Sequence, residues 1–226
     1  MNNKITIKTS DDKNLPIFLY EPSTVRKGAI VLIQEIFGVN DHIKSLGEKF
    51  SNEGYVVWIP ELFHRIGENI TLGYSQEDII LGKKYKEEAG WDLTIMDIIN
   101  CIGNLKVDHN VATIGFCYGG SLSWKSACLA YGLDAAVCFY GSQINNFLDK
   151  EPRCPTLIHL GEEDASINKE SQKEIINFSK KCESHIDIHL YDKADHGFFC
   201  DKRESYNEIA ANLSFKRTLE FLEKNL

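Results

Sequence analysis

The hexapeptide Gly115-Phe-Cys-Tyr-Gly-Gly120 constrains this chain more than any other stretch. A β-branched, apolar run, Val111-Ala-Thr-Ile-Gly-Phe, leads into it, and Ser121-Leu-Ser-Trp-Lys-Ser-Ala-Cys-Leu-Ala leads away with helical character. Between a buried strand and a helix the backbone has to reverse within a few residues. Glycines on both sides of Cys117 fit such a bend, because the crowded main chain leaves no room for neighbouring side chains and forces the central residue into a strained conformation. A cysteine so flanked is expected by chance about 0.03 times per chain. The pattern therefore predicts a β-turn-α unit that holds one thiol, Cys117, out at its apex as a candidate nucleophile.

The rest of the chain alternates strand and helix signals around that unit. An antiparallel start is expected from Ile5-Thr-Ile and Leu15-Pro-Ile-Phe-Leu, which flank the turn residues Asp11-Asp-Lys-Asn. Short apolar runs then follow at residues 28–33, 55–59, 111–116, 135–140, 155–160 and 186–191, mostly without polar alternation. Such runs suit a mostly parallel sheet covered on both faces. Helical stretches separate them at 41–52, 76–89, 91–105, 121–131, 168–182 and 205–226. The expectation is an α/β fold with helices on both faces of the sheet, no large lid, and a single domain spanning residues 1–226.

Composition removes several function classes. The formal net charge is −8 and the basic residues are dispersed, so no nucleic-acid partner is expected. No apolar signal core follows Met1 and no window approaches the roughly 18 apolar residues of a membrane span, so neither export nor membrane association is expected. Seven cysteines without a C-x-x-C pair argue against a disulfide framework and a structural zinc site. A cytoplasmic protein with reduced thiols, no metal and no other cofactor fits these facts.

In an open sheet of this kind chemistry collects beyond the carboxyl ends of the strands. Four such loops carry unusual residues: Gln34-Glu-Ile-Phe-Gly, Cys117, Gly161-Glu-Glu-Asp164, and Ala194-Asp-His196-Gly-Phe. His196 is placed to take or hold off the thiol proton, and Asp164 to fix the imidazole tautomer. An ordinary thiol with a pKa of about 8.5 is only a few per cent ionised at neutral pH, so the histidine and the helix N-terminus at Tyr118 must both favour the thiolate. Six quieter cysteines are expected beside Cys117. His159 and His189 read as packed or sheet-surface residues, and His42, His64, His109 and His185 as turn or surface residues.

Taken together, Gln34-Glu-Ile-Phe-Gly, Pro60-Glu-Leu-Phe-His-Arg65, the cysteine hexapeptide, Tyr140-Gly141, Gly161-x-x-Asp164 and His196-Gly-Phe resemble the dienelactone hydrolase family of the α/β-hydrolase superfamily. The order nucleophile, acid, histidine is the one that superfamily uses. The resemblance implies a Cys117–Asp164–His196 triad, with Glu35 helping to activate the thiol. It also implies an oxyanion hole from the backbone N–H groups of Ile36 and Tyr118. The reaction implied is cleavage of a small, anionic ester or lactone through an acyl-thioester. A cation should grip the substrate carboxylate, and Arg65 and Arg203 are the candidates, with Tyr140 as an aromatic that could stack on substrate. The chain departs from the best-known pattern between Tyr74 and Gly90, where lysines stand and no arginine does, and at Cys200. Monomer and homodimer both remain open.

Two other readings compete. Class I glutamine amidotransferases also place cysteine in a G-x-C-x-G turn, but they need a downstream His-x-Glu, and this chain has none. A redox-active protein would use a low-pKa Cys117 without acyl transfer, and the Asp164 and His196 pair argues against it.

Overall fold

A computed structural model describes residues 3–226. They divide into two compact units, Met1–Val111 and Ala112–Leu226.

In the first unit, β1 (Asn3–Lys8) and β2 (Asn14–Tyr20) form the expected antiparallel hairpin, with Ile5 opposite Ile17. Asp12 turns the chain between them at a φ of 60°. β2 pairs antiparallel with β4 (Tyr55–Pro60), and β4 pairs parallel with β3 (Gly28–Ile33). The parallel pair requires a crossover, which is α1 (Asp41–Asn52), packed on β2 and β4. Asn40 caps α1 by accepting the Ile43 N–H at 3.2 Å. Every residue of β3 is buried, so both of its faces are covered. α2 (Gln76–Ala89) opens on a capping box of Ser75 and Asp78. Gly90, at a φ of 69°, then redirects the chain into α3 (Trp91–Leu105), which packs on β3 and β4.

The second unit is wholly parallel. β5 (Val111–Phe116), β6 (Ala135–Phe139), β7 (Thr156–Gly161) and β8 (Ile186–Tyr191) lie side by side in that order. The first three are buried along their whole length. Crossovers run through α4 (Tyr118–Leu129) and α5 (Lys169–Ser179), and α6 (Glu208–Asn225) closes the chain against β6 and β7. Register sets Phe116 beside Phe139, Phe139 beside His159, and Gly161 beside Tyr191. The carboxyl ends of four strands therefore share one edge, and the Cys117, Asp164 and His196 loops all leave from it.

The strands match expectation within two residues at each end. α4 begins three residues earlier than the composition suggested, because Tyr118-Gly-Gly is already helical directly behind the bend. α5 and α6 start later, where Asn168 and Asn207 accept the N–H groups of Ser171 and Ala210 and so fix the first turns. A short 3₁₀ turn, Ile144–Phe147, had no signal in the sequence. Among the described residues no helix is long and apolar enough to cross a membrane, and no inserted lid interrupts the alternation.

Candidate active site

Cys117 sits between β5 and α4 at φ 54° and ψ −111°, a region that residues with a side chain rarely enter. Such a conformation costs about 1–3 kcal/mol and persists only where the surroundings dictate it. Here they do. The Cys117 N–H donates to the Phe139 carbonyl at 3.0 Å, and its carbonyl accepts the Ser121 N–H at 3.2 Å. A Cβ at Gly115 would overlap the Gly119 carbonyl, and one at Gly120 would overlap the Phe139 carbonyl. Both glycines are thus required by close backbone approach, as the hexapeptide suggested.

Three residues beyond β7, Asp164 folds its carboxylate back into its own loop. One oxygen accepts the N–H groups of Ser166 at 2.8 Å and Ile167 at 3.1 Å. The other accepts Nδ1–H of His196 at 2.8 Å. The turn contacts and the histidine contact thus fall on different oxygens of one carboxylate. Gln172 on α5 locks the loop by donating to the carbonyls of Gly161 and Ile167 at 3.0 and 2.8 Å. Sequence patterning gave no hint of Gln172, since one polar residue on a helix looks like any other.

His196 leaves β8 through a turn pinned by the Ala194 carbonyl, which accepts the Glu163 N–H at 2.9 Å. The His196 N–H donates to the Asp195 carboxylate at 2.6 Å. Its Nε2 lies 3.1 Å from Cys117 Sγ. Burial alone would disfavour the imidazolium, but the neighbouring Cys117 sulfur and the Asp164 carboxylate outweigh it and hold His196 up to about 10. Burial pushes Cys128 and Cys154 up to about 12 and moves Cys101, Cys138 and Cys182 in the same direction.

Tyr118 is buried, and its N–H lies in the first turn of α4, where backbone donors lack intrahelical acceptors. Tyr140 has no exposed surface. Its ring packs against His196 at 5.2 Å between centroids and against Phe198 at 5.3 Å. The Arg203 guanidinium lies over Gly197, where an added Cβ would meet it, so it flanks the histidine turn. Phe198 fills the wall behind both tyrosines, Tyr140 and Tyr191.

The remaining candidates belong to the first unit. Glu35, in the loop after β3, is wholly buried, with the Tyr74 hydroxyl 3.5 Å from one carboxylate oxygen. Ile36 is also buried, and its carbonyl lies so close to Gly82 of α2 that no side chain fits there. Arg65 is already occupied. Its guanidinium grips Asp11 at 2.7 and 3.1 Å and Asp97 at 2.6 Å. Asp97 also binds His64 Nε2 at 2.9 Å; His64 lies in a turn, as expected, with its side chain only 6% exposed. The signal for this cluster was an aspartate inside the apolar run Ile95-Met-Asp-Ile-Ile99. His159 is packed as expected, between the Tyr191 and Thr218 hydroxyls.

The model of the Dienelactone hydrolase family matches residues 15–226. A protein of Synechocystis sp. named "Putative carboxymethylenebutenolidase" is 33% identical over 242 residues, covering 99% of this chain and 98% of its own. The carboxymethylenebutenolidase of Pseudomonas putida is 26% identical over 231 residues, covering 96% and 94%. The crystal structure of a "Putative Dienelactone Hydrolase" from Klebsiella pneumoniae superposes with a TM-score of 0.81 at 26% identity, covering 98% of this chain and 99% of its own. With that match over most of its length, the chain belongs to the dienelactone hydrolase family, has the α/β-hydrolase fold of that family, and is a hydrolase.

Proposed function

We propose that the chain hydrolyses a small ester or lactone, of the anionic dienelactone type, through an acyl-thioester on Cys117. The observation that carries this reading is the unbroken line from Asp164 through His196 to the Cys117 sulfur, at 2.8 and 3.1 Å, ending on a residue held in a strained bend.

In the reaction the Cys117 thiolate attacks the substrate carbonyl carbon, forming a C–S bond while the carbonyl electrons move onto oxygen. The Tyr118 N–H faces that charge as one oxyanion donor, and loss of such a donor costs about 3 kcal/mol of barrier. Collapse restores the carbonyl and breaks the C–O bond. An enolate leaves far more easily than an amine, so weak protonation by His196 suffices. In the second half His196, now neutral, takes a proton from water as the water oxygen attacks the thioester carbon, and the thiolate departs. Asp164 keeps Nδ1 protonated throughout.

Roles for Glu35 in activating the thiol and for the Ile36 N–H as the second oxyanion donor rest on the family resemblance. Arg203, whose guanidinium lies over Gly197 in the histidine turn, is the cation proposed for the substrate carboxylate. A single domain over 1–226, a monomer or homodimer, and a cytoplasmic setting complete the proposal. The last is supported by the lack of any disulfide among the described residues.

The test is intact-mass spectrometry during turnover of an activated aryl ester and an enol-lactone. Wild type should gain the acyl mass transiently, and Cys117→Ala should gain none. Full turnover by both Cys117→Ala and Cys117→Ser would overturn the proposal, and stable peroxide oxidation without an acyl adduct would favour a redox role instead.

A further inference from the structure

The two hydrogen bonds of His196 and its bond to the chain set where the imidazole lies, and a packed neighbour limits how far it can swing from that position. The residue in that place is Tyr140, whose ring meets the imidazole at 5.2 Å with 62° between the planes. Its backbone is held at a φ of 38°, in the left-handed region that a bulky residue occupies only under constraint. The constraints are visible. The Tyr140 N–H donates to the His159 carbonyl at 2.8 Å, and the next residue, Gly141, runs so close to Gly120 that an added Cβ would overlap its backbone, so the chain end of β6 is held. Phe198 and Phe139 then fill the remaining sides of the tyrosine ring. Strain of this kind supports a functional reading when it directs a side chain at a reacting group.

We propose that Tyr140 is a positioning residue of the hydrolase: its strained backbone sets the ring against His196, where it limits the swing of the imidazole and favours the imidazolium–thiolate form of the pair. This rests on the triad reading above. It goes beyond the expectation that Tyr140 stacks on substrate, because the side chain has no exposed surface. The charge effect belongs to the edge-to-face arrangement in which Tyr140 offers its negative face to the imidazolium, since such a face attracts a cation within about 6 Å of its centroid. The other charged or titratable groups in this unit that face His196 are Cys117, Asp164, Asp195 and the Arg203 guanidinium over Gly197. They are common to every variant below.

The test reads the thiolate directly. Iodoacetamide alkylates Cys117 when the thiolate displaces iodide, and peptide mass spectrometry from pH 5 to 10 gives the rate at that residue alone. Tyr140→Leu should alkylate about tenfold more slowly at pH 6 than wild type, with the profile displaced toward that of an ordinary thiol. Because a buried Tyr140→Leu protein can fail to fold, the deciding pair is Tyr140→Phe against a ring-fluorinated phenylalanine at 140, which keeps the ring shape and weakens its negative face. The fluorinated protein should react several-fold more slowly at pH 6 and lose kcat with little change in KM. Superposable profiles for that pair, in folded protein, would overturn the proposal. Alkylation needs no turnover, so failure of the hydrolase reading in the acyl-mass experiment would remain distinguishable.

Discussion

Among the described residues two buried aspartates each hold a histidine at nearly the same distance, and only one of these pairs also faces a thiol. Asp164 binds His196 at 2.8 Å in the second unit, and Asp97 binds His64 at 2.9 Å in the first. Both carboxylates are buried. The difference lies in the third partner. His196 presents its other ring nitrogen to the Cys117 sulfur on a strained bend, which is the contact the proposed mechanism uses. Asp97 instead spends its second oxygen on Arg65, which also grips Asp11, and the result is a closed ion network that ties β1–β2 turn residues to α3. An Asp–His contact is thus no site by itself, and what the imidazole faces on its other side decides.

The comparison can be broken most sharply at the nucleophile. Cys117→Ala should lower ester turnover by at least about 10³-fold in steady-state assays, since covalent catalysis has no substitute group here. Asp164→Asn should lower kcat by about 10²- to 10⁴-fold through the wrong tautomer of His196. Asp97→Asn, by contrast, should leave kcat within about threefold of wild type. An equal loss in both asparagine variants would erase the distinction drawn between the two pairs.

Stability should sort the pairs the other way. Asp97→Ala takes a buried carboxylate away from Arg65 and His64 and should cost about 3 kcal/mol in urea unfolding. The pH dependence separates the pairs further. His196 is raised from an unfolded value of about 6.5 to about 10, so its contribution to stability is complete below about 6.5 and lost as pH climbs through 10. The gap in unfolding free energy between wild type and His196→Gln should narrow over that range. Asp11 is held down to about 2 by the Thr9 hydroxyl and the Arg65 guanidinium. Its contribution is present above about 4 and fades as pH falls toward 2. Asp11→Asn should therefore differ from wild type at neutral pH and converge with it in acid, the smallest effect of the set because the carboxylate is exposed.

Most of the elements were legible in the sequence because each relies on local chemistry. Runs such as Ala135-Ala-Val-Cys-Phe are too apolar to be anything but buried, and asparagines at 40, 168 and 207 cap the helices that follow them. Cys117, Asp164 and His196 could be nominated because each falls just past a strand and follows a glycine-bearing or turn-forming motif. Arg65 shows where such nomination stops. Its place after β4 suggested access to substrate, yet Asp11 and Asp97, 54 and 32 residues away, take its donors. Nothing local to Arg65 announces partners that distant.

What the amino-acid order determined alone was the β-α alternation, the need for a sharp glycine-flanked bend at Cys117, and the candidate acid and base. These follow from hydrophobic periodicity and steric exclusion, which act over a few residues. Only the tertiary structure decided which histidine met a thiol and which met an arginine, and that Tyr140 turns inward onto His196. Those outcomes depend on strand register and on side chains converging from remote segments, where a shift of one residue would exchange one face of a strand for the other.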